Sequence, residues 1–111
     1  MQGDEAANGY LKVSACLKHY AAYSLEGDCP GPSCRESFPA VVTAQDMEDT
    51  YLPAFQAGVE RGRASGLMCS YNAETYGYGT MGNGTQGGAI PSCANKYIMN
   101  DLARDEWGFD G

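Results

Sequence analysis

The chain has 111 residues, enough for one small domain, and its 14 acidic against 7 basic side chains give a net charge of −7. Such a surface repels a phosphate backbone, which sets nucleic acid aside as a partner. It also holds no run of about eighteen apolar residues, the length that a membrane-spanning helix needs. Five cysteines are many for a reducing compartment and point to an oxidising one.

The first five residues, Met1-Gln2-Gly3-Asp4-Glu5, lack the basic and then apolar regions of a secretory signal, so any signal is expected outside this stretch. Residues 1–9 are polar and glycine-bearing and read as a loop or an approach to a strand. From Leu11 the pattern alternates, with Leu11, Val13, Ala15 and Leu17 on one side and Lys12, Ser14, Cys16 and Lys18 on the other. Period two predicts a strand. It closes on Leu17-Lys18-His19-Tyr20, where the only histidine stands beside a lysine. Ala21 to Pro39 carries Gly27, Pro30, Gly31, Pro32 and Pro39 and reads as an irregular loop, with Cys29–Cys34 as a candidate pin.

Thr43-Ala44-Gln45-Asp46 has the form of a helix N-cap with an acid three residues on. Pro53 interrupts the helix that follows, so the spacing predicts one short helix over 44–51 and a second that opens with Pro53 in its first turn. The second buries Phe55 and Val59 and stops at Gly62. Leu67–Tyr71 follows as a short strand. Residues 73–92 carry no apolar period and read as a long surface loop, in which Asn83-Gly84-Thr85 is a candidate N-glycosylation acceptor. A last helix is predicted over 95–106, with Ile98, Leu102 and Trp107 toward the core and Gly108 ending it. Phe109-Asp110-Gly111 reads as the approach to another strand.

Strand, helix, strand, helix is the order of βα units on a parallel sheet. Two parallel strands can neither close a barrel nor cover their own edges, so the chain reads as a slice of a larger α/β domain. Metal ligation needs thiolates or imidazoles at short, paired spacings. The closest cysteines, Cys29 and Cys34, have four residues between them, and His19 has no histidine partner. No metal and no organic cofactor is expected. One or two disulfides are, with the unpaired cysteine buried or bonded outside the chain.

At the carboxyl ends of parallel strands, side chains converge on a common site. Lys18 and His19 in that position can donate charge-assisted hydrogen bonds to sugar hydroxyls or to a carboxylate. The plainer alternative has Lys18 reaching solvent and His19 satisfying a loop carbonyl. Met68 and Tyr71 are core packing by default, although Tyr71 can offer a flat face and a hydroxyl to a ring-shaped ligand. Gly77-Tyr78-Gly79 is not followed by a helix start where a phosphate loop needs one, and no Gly-x-Ser-x-Gly elbow is present.

Six stretches together resemble a known family. They are Tyr10-Leu11-Lys12-Val13-Ser14-Ala15-Cys16-Leu17-Lys18-His19-Tyr20, Asp49-Thr50-Tyr51-Leu52-Pro53-Ala54-Phe55, Val59-Glu60, Met68-Cys69-Ser70-Tyr71-Asn72, Ile90-Pro91-Ser92-Cys93-Ala94-Asn95 and Glu106-Trp107-Gly108-Phe109-Asp110-Gly111. In order and spacing they are similar to the catalytic barrel of glycoside hydrolase family 3, nearest its β-xylosidase-like branch. The resemblance spans almost the whole chain, so residues 1–111 are expected to be part of that N-terminal domain. It implies α/β architecture, with about two βα units of a (β/α)8 TIM barrel, incomplete as given. It also implies retaining hydrolysis, in which one carboxylate attacks the anomeric carbon while a second acid about 5 Å away protonates the leaving oxygen.

Carried over by position, Lys18 and His19 match a pair that hydrogen-bonds hydroxyls of the reacting sugar, and Met68 and Tyr71 match residues lining the same subsite. Cys69 and Cys93 match a pair that forms a disulfide. The family's nucleophile, an aspartate in a Ser-Asp pair, is expected just after Gly111, and its acid/base in a following domain. No catalytic residue is therefore expected here, and the chain alone is expected to be inactive. The N-acetylhexosaminidase branch carries Lys-His-Phe-Pro-Gly-His-Gly, whereas this chain has Lys18-His19-Tyr20-Ala21-Ala22-Tyr23, which argues against that branch. The 74–89 segment is longer than the connection usual there.

The resulting expectation is an exo-acting β-xylosidase on xylo-oligosaccharides of plant type. Its partners would be an oligosaccharide or an aryl or alkyl β-glycoside, and the remaining barrel and C-terminal domain of the same polypeptide. Its location would be extracellular, in the cell wall or vacuolar. The alternatives are β-glucosidase or α-L-arabinofuranosidase action on the same scaffold, or a non-catalytic carbohydrate-binding remnant.

Overall fold

Only the end of the 11–17 alternation becomes a strand. In the computed structural model, which describes residues 2–3, 10–27, 34–75 and 89–111, β1 runs Cys16–Tyr20. Val13 is 53% exposed and Tyr10 81%. Alternation fits a residue for a pleated surface, but a ladder needs a neighbour, and no described strand lies beside residues 11–15. The Cys29–Cys34 link, the Asn83 acceptor and Gly77-Tyr78-Gly79 fall outside the described residues.

After β1 come a single helical turn α1 (Cys34–Ser37), a two-residue strand β2 (Pro39–Ala40) and a helix α2 (Ala44–Asp46). The backbone N–H of Asp46 donates to Thr43 Oγ1 at 3.0 Å, and the Thr43 hydroxyl donates to Asp46 Oδ2 at 2.7 Å. This satisfies one of the donors that a helix start leaves open. α2 widens into a π-type turn over Met47–Tyr51, closed by Leu52 N to Met47 O at 2.9 Å. α3 (Pro53–Glu60) then starts on its proline, where the missing N–H costs nothing. Gly58 lets α3 lie close on β1, because a Cβ there would stand 2.6 Å from Leu17 Cδ1.

β3 (Gly66–Cys69) pairs in parallel with β1, joining Cys16 to Gly66 and Leu17 to Leu67, and stops two residues short of the predicted Tyr71. Gln2, in the stretch read as loop, locks the start of both strands. Its side-chain oxygen accepts from Ala15 N and Ser65 N, each at 2.9 Å. The stretch read as one long loop instead supplies β4 (Ala73–Glu74) and β5 (Ile90–Pro91). β4 pairs in parallel with β2 and antiparallel with β5, making a second, mixed three-stranded sheet. Such two-residue ladders leave no readable period.

A 3₁₀ turn (Ser92–Ala94) leads to the wide helix α4 (Tyr97–Glu106), whose Ile98, Leu102 and Ala103 are buried. Gly108, at φ +75°, ends it, and Phe109 turns back into the core through its N–H to Ala103 O at 2.8 Å. No strand forms over Phe109-Asp110-Gly111. The core gathers Tyr20 and Ala21 with Met47, Leu52, Val59, Ile98, Leu102 and Trp107. Tyr20 is fully buried at the carboxyl end of β1, ringed by Phe55 at 5.0 Å and Trp107 at 5.9 Å, and its hydroxyl donates to Ile98 O at 2.9 Å. Each large apolar side chain so buried contributes about 1.5–3 kcal/mol. The chain is mixed α/β, with a parallel strand pair fixed on one core.

Candidate functional site

β1 and β3 lose step just where their polar residues come. Leu17 pairs with Leu67 and Tyr20 with Cys69, so Lys18 and His19 stand opposite Met68 alone. A bulge of this kind re-aims the side chains it carries. Lys18 is exposed and His19 half-buried at the carboxyl ends of both strands, and the Lys18–His19 and Tyr20–Ala21 peptide bonds are cis. Met68 is half-buried and Tyr71 is 50% exposed. Tyr71 is thus not core packing.

The His19 ring does not meet a loop carbonyl among the described residues; it lies among other rings. It is 4.9 Å from the ring of Tyr23 and 6.3 Å from that of Tyr71, and those two tyrosines meet edge-on at 6.1 Å. Phe38, just before β2, extends the cluster to the far side of Tyr23 at 6.2 Å. Partial burial and the carboxylate of Glu26 hold the Tyr23 phenol above its ordinary range, while Arg35 works against them. Arg35 in turn pairs with Glu26 at 3.5 Å, and both groups are largely exposed.

Sequence reasoning missed Tyr23 and Arg35. The Tyr20-Ala21-Ala22-Tyr23 spacing was a signal for Tyr23: one tyrosine goes inward and the next outward, with two small buried alanines between. Arg35 gave no signal, because a turn within a proline-rich stretch brings it there.

Cys69, next to Met68 at the end of β3, forms a disulfide with Cys93, their Cα atoms 5.1 Å apart. Cys16 is free and exposed, not buried. A buried polar layer adjoins the disulfide. Ser70 donates to Ala21 O at 2.8 Å, Ser92 lies 2.8 Å from both Ser70 Oγ and Asn72 O, and Ser92 also contacts Glu74 Oε1. Among the described residues, no cluster of three or more His, Cys, Asp or Glu side chains is placed to hold a metal ion. A cavity lined by Leu11, Val59, Ala64, Ser65 and Phe109 opens at the other end of the strands, away from Lys18 and His19.

Chemically, the cluster offers an imidazole and two phenols around flat rings, with the exposed ammonium-bearing Lys18 next to His19 in the chain. That set can donate to hydroxyl oxygens and stack on the apolar face of a ring. The sequence model of the "Glycosyl hydrolase family 3 N terminal domain" matches residues 1–111. The chain belongs to this family.

Curated relatives are similar over nearly all of the chain. A protein of Arabidopsis thaliana named probable beta-D-xylosidase 6 is 48% identical over 105 residues, which are 95% of this chain and 11% of the relative. The beta-xylosidase/alpha-L-arabinofuranosidase 2 of Medicago sativa subsp. varia is 37% identical over 110 residues, 99% of this chain and 12% of the relative. A probable exo-1,4-beta-xylosidase of Aspergillus clavatus is 37% identical over 99 residues, 89% of this chain and 11% of the relative. The chain therefore spans about a ninth of the length of these relatives.

Proposed function

We propose that this domain is part of a retaining β-glycosidase that hydrolyses O-glycosyl bonds of plant-type carbohydrates, as an exo-acting β-xylosidase. The observation that carries this reading is the meeting of His19, Tyr23 and Tyr71, with Lys18 exposed beside His19, at the carboxyl ends of two neighbouring parallel strands in a chain of this family. Lys18 and His19 donate to hydroxyls of the reacting sugar, bonds that strengthen as the ring gains oxocarbenium character. Met68 and Tyr71 wall the same subsite, and Tyr23 extends its aromatic side. β1 and β3 are neighbouring strands of a (β/α)8 barrel, of which the chain forms about two βα units. The rest of that barrel and a C-terminal domain supply the two carboxylates that retaining hydrolysis needs. The Cys69–Cys93 disulfide supports an extracellular, cell-wall or vacuolar location.

The test is steady-state kinetics of the full-length protein on matched aryl glycosides. The β-xyloside is expected to react best. Lys18→Ala and His19→Ala are each expected to lower kcat/KM by roughly 10- to 100-fold, the loss that follows when a charged or charge-assisted donor to a sugar hydroxyl is removed. A folded protein that cleaves none of the substrates overturns the reading. Preference for the β-glucoside overturns the xylosidase assignment alone. A second specificity, α-L-arabinofuranosidase, is favoured by the double name of the Medicago relative, and the same assay with an aryl α-L-arabinofuranoside decides it.

A further inference from the structure

The functional reading above leaves Glu74 without a role, yet this carboxyl is one of the most enclosed polar groups among the described residues. It sits in β4 at 0% exposure, between Ala40 of β2 and Ile90 of β5, neither of which titrates. Its Oε1 meets the hydroxyl of Ser92 and, at 3.4 Å, the backbone N–H of Ala21; its Oε2 has no hydrogen-bond partner among the described residues. A carboxylate at Glu74 opposes ionisation of Tyr20, and no basic side chain among the described residues acts on Glu74.

A count of protons favours one charge state. Four short oxygen–oxygen contacts chain together here: Ser70 to Ala21 O, Ser70 to Ser92, Ser92 to Asn72 O, and Ser92 to Glu74. Carbonyl oxygens only accept, and each serine has one hydroxyl proton to give. Two protons cannot fill four contacts. A proton on Glu74 makes three, with Glu74 donating to Ser92, Ser92 to Asn72 O, and Ser70 to Ala21 O. It also removes the cost of burying a carboxylate with one oxygen bare and no cation beside it.

The tie has a consequence for the site. Ala21 follows the bulged Lys18–His19 pair by two residues, and Ser92 precedes Cys93, whose disulfide partner Cys69 lies between Met68 and Tyr71. We propose that Glu74 is held as a neutral carboxylic acid whose proton ties the Ala21 turn to Ser92, making it a positioning residue for the sugar-facing segments. The positioning part rests on the functional reading above; the neutral acid does not. Burial places the Glu74 carboxyl at about 7, up from 4.5, although Ser92 and Ala21 pull the other way. A carboxyl raised in the folded state stabilises it fully below the unfolded value, and that stability is lost as pH rises through the folded one.

The experiment compares wild type, Glu74→Gln and Glu74→Ala in the full-length protein between pH 4.5 and 8. Gln keeps the shape and a donor toward Ser92 but cannot ionise. Wild type is expected to lose stability relative to Glu74→Gln progressively as pH rises from about 4.5 through 7, with a folding equilibrium lowered by up to roughly two orders of magnitude. Its KM for the aryl β-xyloside is expected to rise several-fold over the same interval while that of Glu74→Gln stays level, and Glu74→Ala is expected to have the raised KM at every pH. His19 and Tyr20 are common to wild type and the Gln variant, so their difference isolates position 74.

A stability difference that does not change with pH overturns the neutral acid, whatever the activity. A pH-dependent stability difference with identical KM profiles overturns the positioning role. If Glu74→Ala does not fold, the Gln comparison alone decides. If wild type cleaves no glycoside, the functional reading and the positioning role fall together, and the stability profile still judges the proton.

Discussion

Tyr20 and Tyr23 lie three positions apart and do opposite work. Tyr20 fills the core and spends its hydroxyl on Ile98 O, whereas Tyr23 stands among His19, Tyr71 and Phe38 at the site. Replacing Tyr20 by Phe keeps the ring but strands a buried carbonyl, an expected loss of about 1 kcal/mol that thermal unfolding of the full-length protein will register. Replacing Tyr23 should act elsewhere. Tyr23→Ala removes the ring that abuts His19 and is expected to raise KM for the aryl β-xyloside about tenfold with little loss of stability. Tyr23→Phe, which keeps the flat face, is expected to stay near wild type. Equal KM values for wild type and the Ala variant would remove Tyr23 from the site.

Among the elements, the parallel pair depends on two kinds of support that differ in how visible they are. α2 begins where Thr43 and Asp46 cap each other, a local arrangement written in four consecutive residues. Thr43→Ala is expected to cost about 1 kcal/mol in thermal unfolding. The starts of β1 and β3 are instead held by Gln2, which accepts from Ala15 N, Ser65 N and the Ser65 hydroxyl and donates to Arg63 O. Gln2→Ala leaves partly buried N–H groups open and is expected to cost more than the cap, about 2 kcal/mol. If the order of the two variants were reversed, Gln2 would not be the clamp that its contacts describe.

At the scale of the whole molecule, the Cys69–Cys93 bridge ties the end of β3 to the 3₁₀ turn, joining residues 24 apart in sequence. Closing a loop of that length removes unfolded-state freedom worth about 3 kcal/mol. The paired variant Cys69→Ser/Cys93→Ser is expected to melt at a lower temperature than wild type, and its melting to respond less to a reducing agent. Equal sensitivity to reductant in both would mean that this bridge contributes nothing measurable. The net charge of −7 works at the same scale, keeping polyanions away from a face whose chemistry suits neutral hydroxyls.

What the sequence determined was whatever repeats or caps locally. The parallel strand pair with its helices, the capped start at Thr43, the proline-led α3, the buried stripe of Ile98, Leu102 and Trp107, and membership of the family can all be read from neighbouring residues, whereas α1 and the small sheet of β2, β4 and β5 cannot. What the tertiary structure decided was every feature that depends on a partner far along the chain. The alternation at 11–15 stays out of the sheet for want of a neighbouring strand among the described residues. Gln2 became a clamp through contacts 13 to 63 residues away, and Tyr23 and Arg35 reached the site through turns without period. Glu74 was one of fourteen acids until three strands and a turn enclosed it. A pattern shows which face of an element is apolar, but burial, charge state and convergence are set by what is packed against that face.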